Sequence, residues 1–476
     1  MAARDWDLFV AGGWLSTGRW EEIRSPYDGT LVGRVATADE ALVDLAVEAA
    51  RGALIDAPFP QHERAAVLER AAGLISEQAE DLATLIALEG GKPIKSARDE
   101  VERSGSTFLF SAAEARKLGG EGVAMEASAA GSGKVGLVKR MPLGVVAAIS
   151  SFNFPLNLVA HKVGPAIAAG NAVVLKPADR TPITSLRLAE ILLDSGLPEG
   201  WLSVLPGPGS SVGSSLVEHE HVGAVTFTGS TSVGWGIRAK VPHKKVNLEL
   251  GSNAPLIVNW DGDWRNAADK AAIHAFSNAG QSCISIQRIL VHEDLADRFV
   301  DRLVTKTRSL SVGDPLSELT DVGPLISERE RDRVQSWIDE AVREGAELLT
   351  GGELVDDGRC LAPTLLRKPV KSSKVWREEV FGPVATVDAF RDLDHAMALA
   401  NDSRFGLQAG IFTRDIGTAL VAGDTLEFGG VVVNDVPTFR ADQQPYGGVK
   451  ESGNTREGPA YAIRELTEER LITLQG

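Results

Sequence analysis

Between residues 144 and 251, five short apolar runs (GVVAAIS, NAVVLKP, WLSVLPG, VGAVTFTGS and KKVNLELG) alternate with segments of helical spacing. Each run is short and bounded by Gly, Pro or Ser, so it reads as a buried strand. Strands separated by helices pair in parallel, because each helix carries the chain back to start the next strand in the same direction and covers a face of the sheet. The intervening helices are LVAHKVGPAIAAG and a segment opened by Thr181-Pro182 and ended at Gly196-Leu197-Pro198, with Pro inside the start and Gly at the end. Sheets of this kind bind ligands beyond the carboxyl ends of their strands. Here those ends are Ser150–Phe154, Lys176–Asp179, Gly207–Gly213, Gly229–Gly234 and Glu249–Asn253.

Residues 40–118 precede this unit with helical spacing, closed in part by Gly90, Gly91 and Pro93. A second series follows from APLIVNW: a helix over 264–278, strand QRILVH, helices over 294–309 and 327–344, then FGPVATV, GLQAGIF and GGVVVND. At 476 residues the chain exceeds what one core organises, so a second α/β domain is expected.

Composition narrows the function classes. The formal charge of −16 is spread without a Lys/Arg cluster, which argues against a nucleic-acid or anionic-membrane surface. No apolar run approaches the roughly 18 residues that cross a bilayer. The opening MAARDWDLF has no apolar signal core, and two cysteines make no disulfide framework, so a reducing cytoplasm is the expected compartment.

Two Gly-rich segments follow strands, but neither is a known phosphate motif. GPGSSVG (207–213) lacks the G-x-G-x-x-G spacing, and GSTSVGW (229–235) has Trp235 where a phosphate loop needs Lys. Each alone is a turn, yet GSTSVG follows a strand and opens a helix, where backbone N–H groups receive a pyrophosphate. Lys176 and Asp179 end another strand; a carboxylate there accepts ribose hydroxyls and repels a 2′-phosphate, favouring NAD over NADP, with Arg180 partly offsetting it. Cys283, in FSNAGQSCISIQR, is either a small buried hydrophobe or a nucleophile.

The ordered set SFNFP (151–155), LKPAD (175–179), FTGS (227–230), LELGS (248–252), GQSC (280–283), EEVFGP (378–383) and PYGGVKESG (445–453) resembles the aldehyde dehydrogenase superfamily, including its 34-residue spacing from Glu249 to Cys283. The resemblance implies an α/β fold with a Rossmann-type NAD-binding domain (1–122 and 142–250), an α/β catalytic domain (251–435), and oligomerisation or bridging segments (123–141 and 436–476). It implies Cys283 as nucleophile, Asn153 with the Cys283 backbone N–H as oxyanion donors, and Glu249 as the base that activates water for thioester hydrolysis. Asn153 as a helix cap and Glu249 as a plain strand-end carboxylate are the alternatives. For the dinucleotide it implies Ile149, Ser150, Lys176, Asp179, Gly209, Gly229, Ser230 and Val233, with Glu379 and Phe381 on the nicotinamide ribose. The superfamily usually has Gly-Gly where this chain has Gly251-Ser252, which puts the local backbone freedom in question. No metal is implied, and Cys360 has no role there and reads as a structural thiol.

The substrate positions depart from the aromatic lining common in the superfamily. His161, eight residues after Asn153 on the same expected helix, and Arg440 stand where bulky apolar groups are usual; Arg103, Arg288, Phe154 and Tyr446 complete the expected substrate set. Arg288 occupies a position where Arg is frequent across the superfamily, so a structural role competes. Basic lining residues suit an aldehyde with an anionic tail, held in a bidentate fork. The combination is similar to branches acting on phosphonoacetaldehyde, sulfolactaldehyde and lactaldehyde, the last uncharged. Alternatively, His161 and Arg440 pair with acids such as Asp442. The expected reaction is NAD-dependent oxidation of a small aldehyde, with an anionic or hydroxylated tail, to the acid through a thiohemiacetal and a thioester. A CoA-acylating enzyme, or a cysteine hydrolase, is the rival. A homodimer or homotetramer is expected through 123–141 and 464–475, whose alternation suits strands.

Overall fold

The computed structural model describes residues 4–56 and 58–475; the first three residues of the opening MAARDWDLF lie outside that range. Helices α1 (Glu40–Asp56), α2 (Gln61–Glu77), α3 (Ala79–Gly90) and α4 (Ile94–Lys117) bear out the helical spacing of residues 40–118, but they are not one layer: α2, α3 and α4 pack together while α1 covers the other face of the sheet. Beside them stands a seven-stranded sheet in the order 245–249, 222–228, 145–149, 172–176, 202–204, 8–10, 13–15. The first five strands of that order are mutually parallel. Side chains alternate across it. Val146, Ala148, Val173 and Leu175 join a core with α2, α4, α5 (Asn157–Ala169) and α6 (Ile183–Asp194). Val145, Ala147, Ile149 and Val174 join the opposite core with α1, α7 (Ser214–Glu218) and α8 (Thr231–Lys240). A sheet covered on both faces explains why its strands read as unbroken apolar runs.

Two buried carboxylates fix where α5 and α6 begin. Glu100 Oε1 of α4 accepts from the Leu156 and Asn157 N–H groups at 2.9 and 3.1 Å, and Glu89 of α3 accepts from Ile183 and Thr184. Neither helix has a side-chain cap of its own, so these distant acids satisfy the orphan donors and complement the positive helix end. The start of α5 at Asn157 corrects one expectation: Asn153 lies ahead of the helix, in the loop between strand and helix, and is not its cap.

The second seven-stranded sheet runs 347–350, 364–367, 384–390, 288–292, 255–258, 408–412, 430–433, parallel except for its first strand. One face packs on α9 (Trp264–His274), α10 (Ala296–Thr307) and α11 (Glu328–Arg343); the other packs on helices Leu393–Asn401 and Ile416–Thr425. The expected helix over 264–278 ends four residues early, and a short 3-10 turn takes its place. Segments 121–123, 134–142 and 467–475 form a separate antiparallel three-stranded sheet. The chain between residues 434 and 466 returns across both units, with Leu250 N–H donating to Ser452 and Tyr446 bridging Glu457. No described helix is long and apolar enough to cross a membrane.

Candidate active site

In the first sheet the strand order reverses between 145–149 and 222–228, so the following loops splay apart and open a crevice. A cavity of about 610 Å³ occupies it, lined from these loops by Phe152, Asn153, Gly229 and Ser230, and from elsewhere by Glu249, Cys283, Glu379, Phe381, Arg440, Tyr446 and Glu457. Residues far apart in sequence meet here because both sheets and the returning chain turn their loops toward one cleft.

Cys283 is delivered by a strained turn. Asn278, Ala279 and Gly280 all have left-handed φ values of 52°, 54° and 69°. For Asn and Ala this backbone is costly and persists only where surroundings enforce it. Gly280 has no substitute, since a Cβ would stand 2.0 Å from the Gly382 carbonyl oxygen. Asn153 is aimed at this loop: its Nδ2 donates to the Gln281 carbonyl at 3.0 Å, and its Oδ1 accepts from Ser151 at 2.9 Å. The second Nδ2 hydrogen remains for a ligand. Cys283 Sγ lies 3.0 Å from the Tyr446 hydroxyl. Burial pushes the thiol up to about 12, partly offset by the Tyr446 bond and reinforced by Glu379 and Glu249. Burial therefore works against the thiolate, and the groups around the sulfur oppose or assist it as named.

Glu249 ends strand 245–249 with both carboxyl oxygens buried and without a hydrogen-bond partner among the described residues. Burial first, and the Glu457 charge second, raise its pKa well above the ordinary carboxylate range. Glu457 goes the other way: burial alone would raise it, but Lys162 and Arg440 outweigh that and hold it at about 2. Lys162 Nζ lies 3.4 Å from Glu457, Arg440 Nη2 donates to it at 2.9 Å, and the Arg440 guanidinium carbon sits 3.8 Å from the Tyr446 ring centre. Neighbouring carboxyls with pKa values pushed apart are the pattern of acid–base sites.

On the other side of the crevice, Ser230 N-caps α8 without a side-chain hydrogen bond, leaving first-turn N–H groups for an anion, with Val233 exposed on that turn. Lys176 Nζ bonds Asp179 and the Pro177 carbonyl at the end of its strand, and the Ser150 N–H donates to the Lys176 carbonyl, one residue beyond Ile149. The turn opened by Gly209 lies alongside, its Gly213 within reach of the Lys176 side chain. Glu379 accepts from the Ser252 N–H at 2.9 Å, and burial raises it to about 7; Phe381 packs edge-on against Phe152. Ser252 has an ordinary φ, so Ser in that place brings no backbone strain. An uncapped helix end, a lysine–carboxylate pair and a carboxyl beside an aromatic floor fit the pyrophosphate, adenosine ribose and nicotinamide ribose of a dinucleotide.

Of the residues expected at the substrate, Arg103, Phe154, Arg440 and Tyr446 line the cavity and two do not. Arg288 is corrected outright: it is fully buried and donates to the carbonyls of Asn253, Leu399 and Ala400 at 2.9–3.0 Å, tying three segments together while burial pulls it down to about 10. His161 is also corrected. Because α5 starts after Asn153, the two are not on one helix and their eight-residue spacing does not aim this ring at the pocket; it sits behind the wall, 3.4 Å from Asp442 and from Thr107, and burial lowers it to about 4. Arg103 pairs with the same Asp442 at 2.9 Å. Lys162, Glu457 and Glu100 belong to the site's surroundings but escaped the sequence reading, since none stands in a motif. The one signal was a Lys inside an otherwise apolar helix. Cys360 is buried on a short strand away from the cavity.

The family model described as the aldehyde dehydrogenase family matches residues 14–472. A 3-sulfolactaldehyde dehydrogenase of Priestia aryabhattai is 45% identical over 471 residues, covering 99% of this chain and 98% of the relative. A lactaldehyde dehydrogenase of Methanococcus vannielii is 38% identical, covering 98% and 99%. The crystal structure of aldehyde dehydrogenase 21 from Physcomitrella patens, in complex with the reaction product succinate, superimposes with a TM-score of 0.96 at 38% identity over 100% of this chain and 99% of that one.

Proposed function

The chain belongs to the aldehyde dehydrogenase family, an enzyme family that oxidises aldehydes with a nicotinamide cofactor, and we propose that this member takes a small aldehyde with an anionic tail and prefers NAD. The observation that carries the substrate reading is Arg440. It lines the cavity, donates through one Nη to Glu457, and keeps a buried Nε with no partner among the described residues. A buried guanidinium donor without an acceptor costs free energy until a ligand supplies one. Carboxylate, sulfonate and phosphonate oxygens do so with opposite charge. Arg103, at the same cavity, adds a second cation. The sulfonated and carboxylated compounds in the names of the relatives above point the same way.

In this reading Cys283 Sγ attacks the carbonyl carbon, and the resulting alkoxide is held by the free Asn153 Nδ2 hydrogen and the Cys283 backbone N–H, which donates to no backbone acceptor among the described residues. The cofactor, when bound, supplies the acceptor for the hydride that leaves the carbonyl carbon. Glu249 then takes a proton from water attacking the thioester and frees the acid. Its unpartnered oxygens make it available for that water, and its raised pKa brings its basicity closer to working pH. A CoA-acylating reaction has no use for such a base. Lys176 and Asp179 hold the adenosine ribose, and the Asp179 charge disfavours a 2′-phosphate. The three-stranded sheet exposes Val135, Leu137, Leu471, Ile472 and Leu474, which supports a homodimer or homotetramer built on it.

The test is kcat/KM for a neutral aldehyde and an anionic one of equal length, with each cofactor, in the native enzyme and in Arg440→Met. A preference for the anion that the substitution abolishes upholds the reading. Equal rates on both aldehydes in both proteins overturn it.

A further inference from the structure

We propose that Tyr446 is a further catalytic residue, whose hydroxyl donates to the Cys283 thiolate and holds it ready for attack. The inference rests on Cys283 being the nucleophile. The Tyr446 hydroxyl is 3.0 Å from Sγ and has no other hydrogen-bond partner among the described residues. A buried phenol of this kind has one acceptor available, the sulfur.

The direction of the bond follows from acidity. A thiol ordinarily ionises before a phenol. Burial and the neighbouring Cys283 raise the Tyr446 hydroxyl well above its usual range, so the first proton lost from the pair is the sulfur's. The sulfur faces Glu249 and Glu379, which disfavour its charge, and Arg440, which favours it. Of these neighbours, only Tyr446 makes a direct bond to it. The Arg440 guanidinium over the Tyr446 ring draws electron density from the phenol and strengthens the donor.

The backbone holds the hydroxyl in place. Tyr446 N–H donates to the Glu457 carbonyl at 3.1 Å, and Glu457 N–H returns the bond to Tyr446 at 2.6 Å. The ring is therefore anchored to the same residue that anchors Arg440. In the reaction the thiol proton passes to solvent and the sulfur carries its charge against the Tyr446 O–H. As the S–C bond forms, the carbonyl π pair moves to oxygen, the sulfur becomes neutral and the Tyr446 bond weakens. When the thioester is hydrolysed the S–C bond breaks with the pair on sulfur, and the same hydroxyl receives the departing thiolate. Tyr446 thus stabilises the sulfur anion at the start and at the end of the cycle.

The experiment is alkylation of the free enzyme by iodoacetamide as a function of pH, with the label located by peptide mass analysis so that Cys360 is scored separately. Loss of one hydrogen bond to an anion slows Cys283 labelling in Tyr446→Phe by about tenfold at any pH below the thiol's midpoint, and moves the profile to higher pH by about one unit. A 4-aminophenylalanine at position 446, a weaker donor of nearly the same shape, moves the profile to higher pH by less than Phe does. It also decides the matter should the Phe variant fail to fold. Superimposable profiles for the native enzyme and Tyr446→Phe, or for the native enzyme and the 4-aminophenylalanine protein, overturn the proposal. Cys283→Ala separates the layers: an active Cys283→Ala enzyme removes the nucleophile and this inference together. An inactive one with an unshifted Tyr446→Phe profile removes this inference alone.

Discussion

Replacing Glu249 by Gln separates the two halves of the reaction, and the structure sets the size of each effect. Gln keeps the shape and removes the base. In the proposed cycle Glu249 enters only at thioester hydrolysis, so in the variant hydride transfer should proceed once per subunit and stop there. Mixing the variant with aldehyde and cofactor in a stopped-flow instrument should give a burst of about one equivalent of reduced nicotinamide per subunit. The steady rate should then be slower by about 10²–10⁴-fold, the usual worth of a positioned base. The native enzyme's steady rate should rise with pH through a value above the ordinary carboxylate range, since the raised pKa keeps Glu249 protonated at lower pH and only its anion takes a proton. That limb should vanish in the variant. Stability offers an independent check. Both Glu249 oxygens are buried without partners, and an unsatisfied buried group costs about 1–3 kcal/mol. Glu249→Met should therefore melt no lower than the native protein, while losing turnover. A Glu249→Gln enzyme without a burst places the group before hydride transfer and refutes the reasoning; so does unchanged turnover.

Asn153→Ala removes one oxyanion donor and should lower kcat by about 100-fold, with cofactor affinity by fluorescence titration unchanged. Gly447→Ala places a methyl group 2.6 Å from Glu249 Oε1 and 2.0 Å from the Thr455 carbonyl oxygen, so kcat and melting temperature should both fall. His161 is held neutral in the fold, near 4 against an unfolded value of about 6.5, by burial and Arg440 acting against Asp442 and Glu457. A depressed value means stability present above pH 6.5 and lost as pH falls toward 4, amounting to about 3 kcal/mol. His161→Gln should flatten that part of a denaturation-versus-pH curve.

The strand series and its ligand-bearing ends were legible because a doubly covered sheet demands uninterrupted apolar runs, and 145–149, 172–176 and 245–249 fall where those runs lie. Glu249 and Cys283 were legible through local motifs, and the structure brings both to one cavity. What escaped was set by tertiary contact. The start of α5 is fixed by Glu100, fifty-six residues upstream of the Leu156 N–H that it accepts, and no local pattern carries that information. The misplacement of His161 followed directly from it. Arg288 misled for a different reason: a charged side chain looks like a ligand group until backbone carbonyls from 253, 399 and 400 are found around it.

Tyr446 and Glu457 lie in the final stretch of the polypeptide, while Glu249 and Cys283 lie near its middle. Domains fold as they emerge during synthesis, so both large sheets can close before the back of the cleft has been made. The order of manufacture therefore brings Arg440, Tyr446 and Glu457 to the sulfur's pocket only when translation is nearly over.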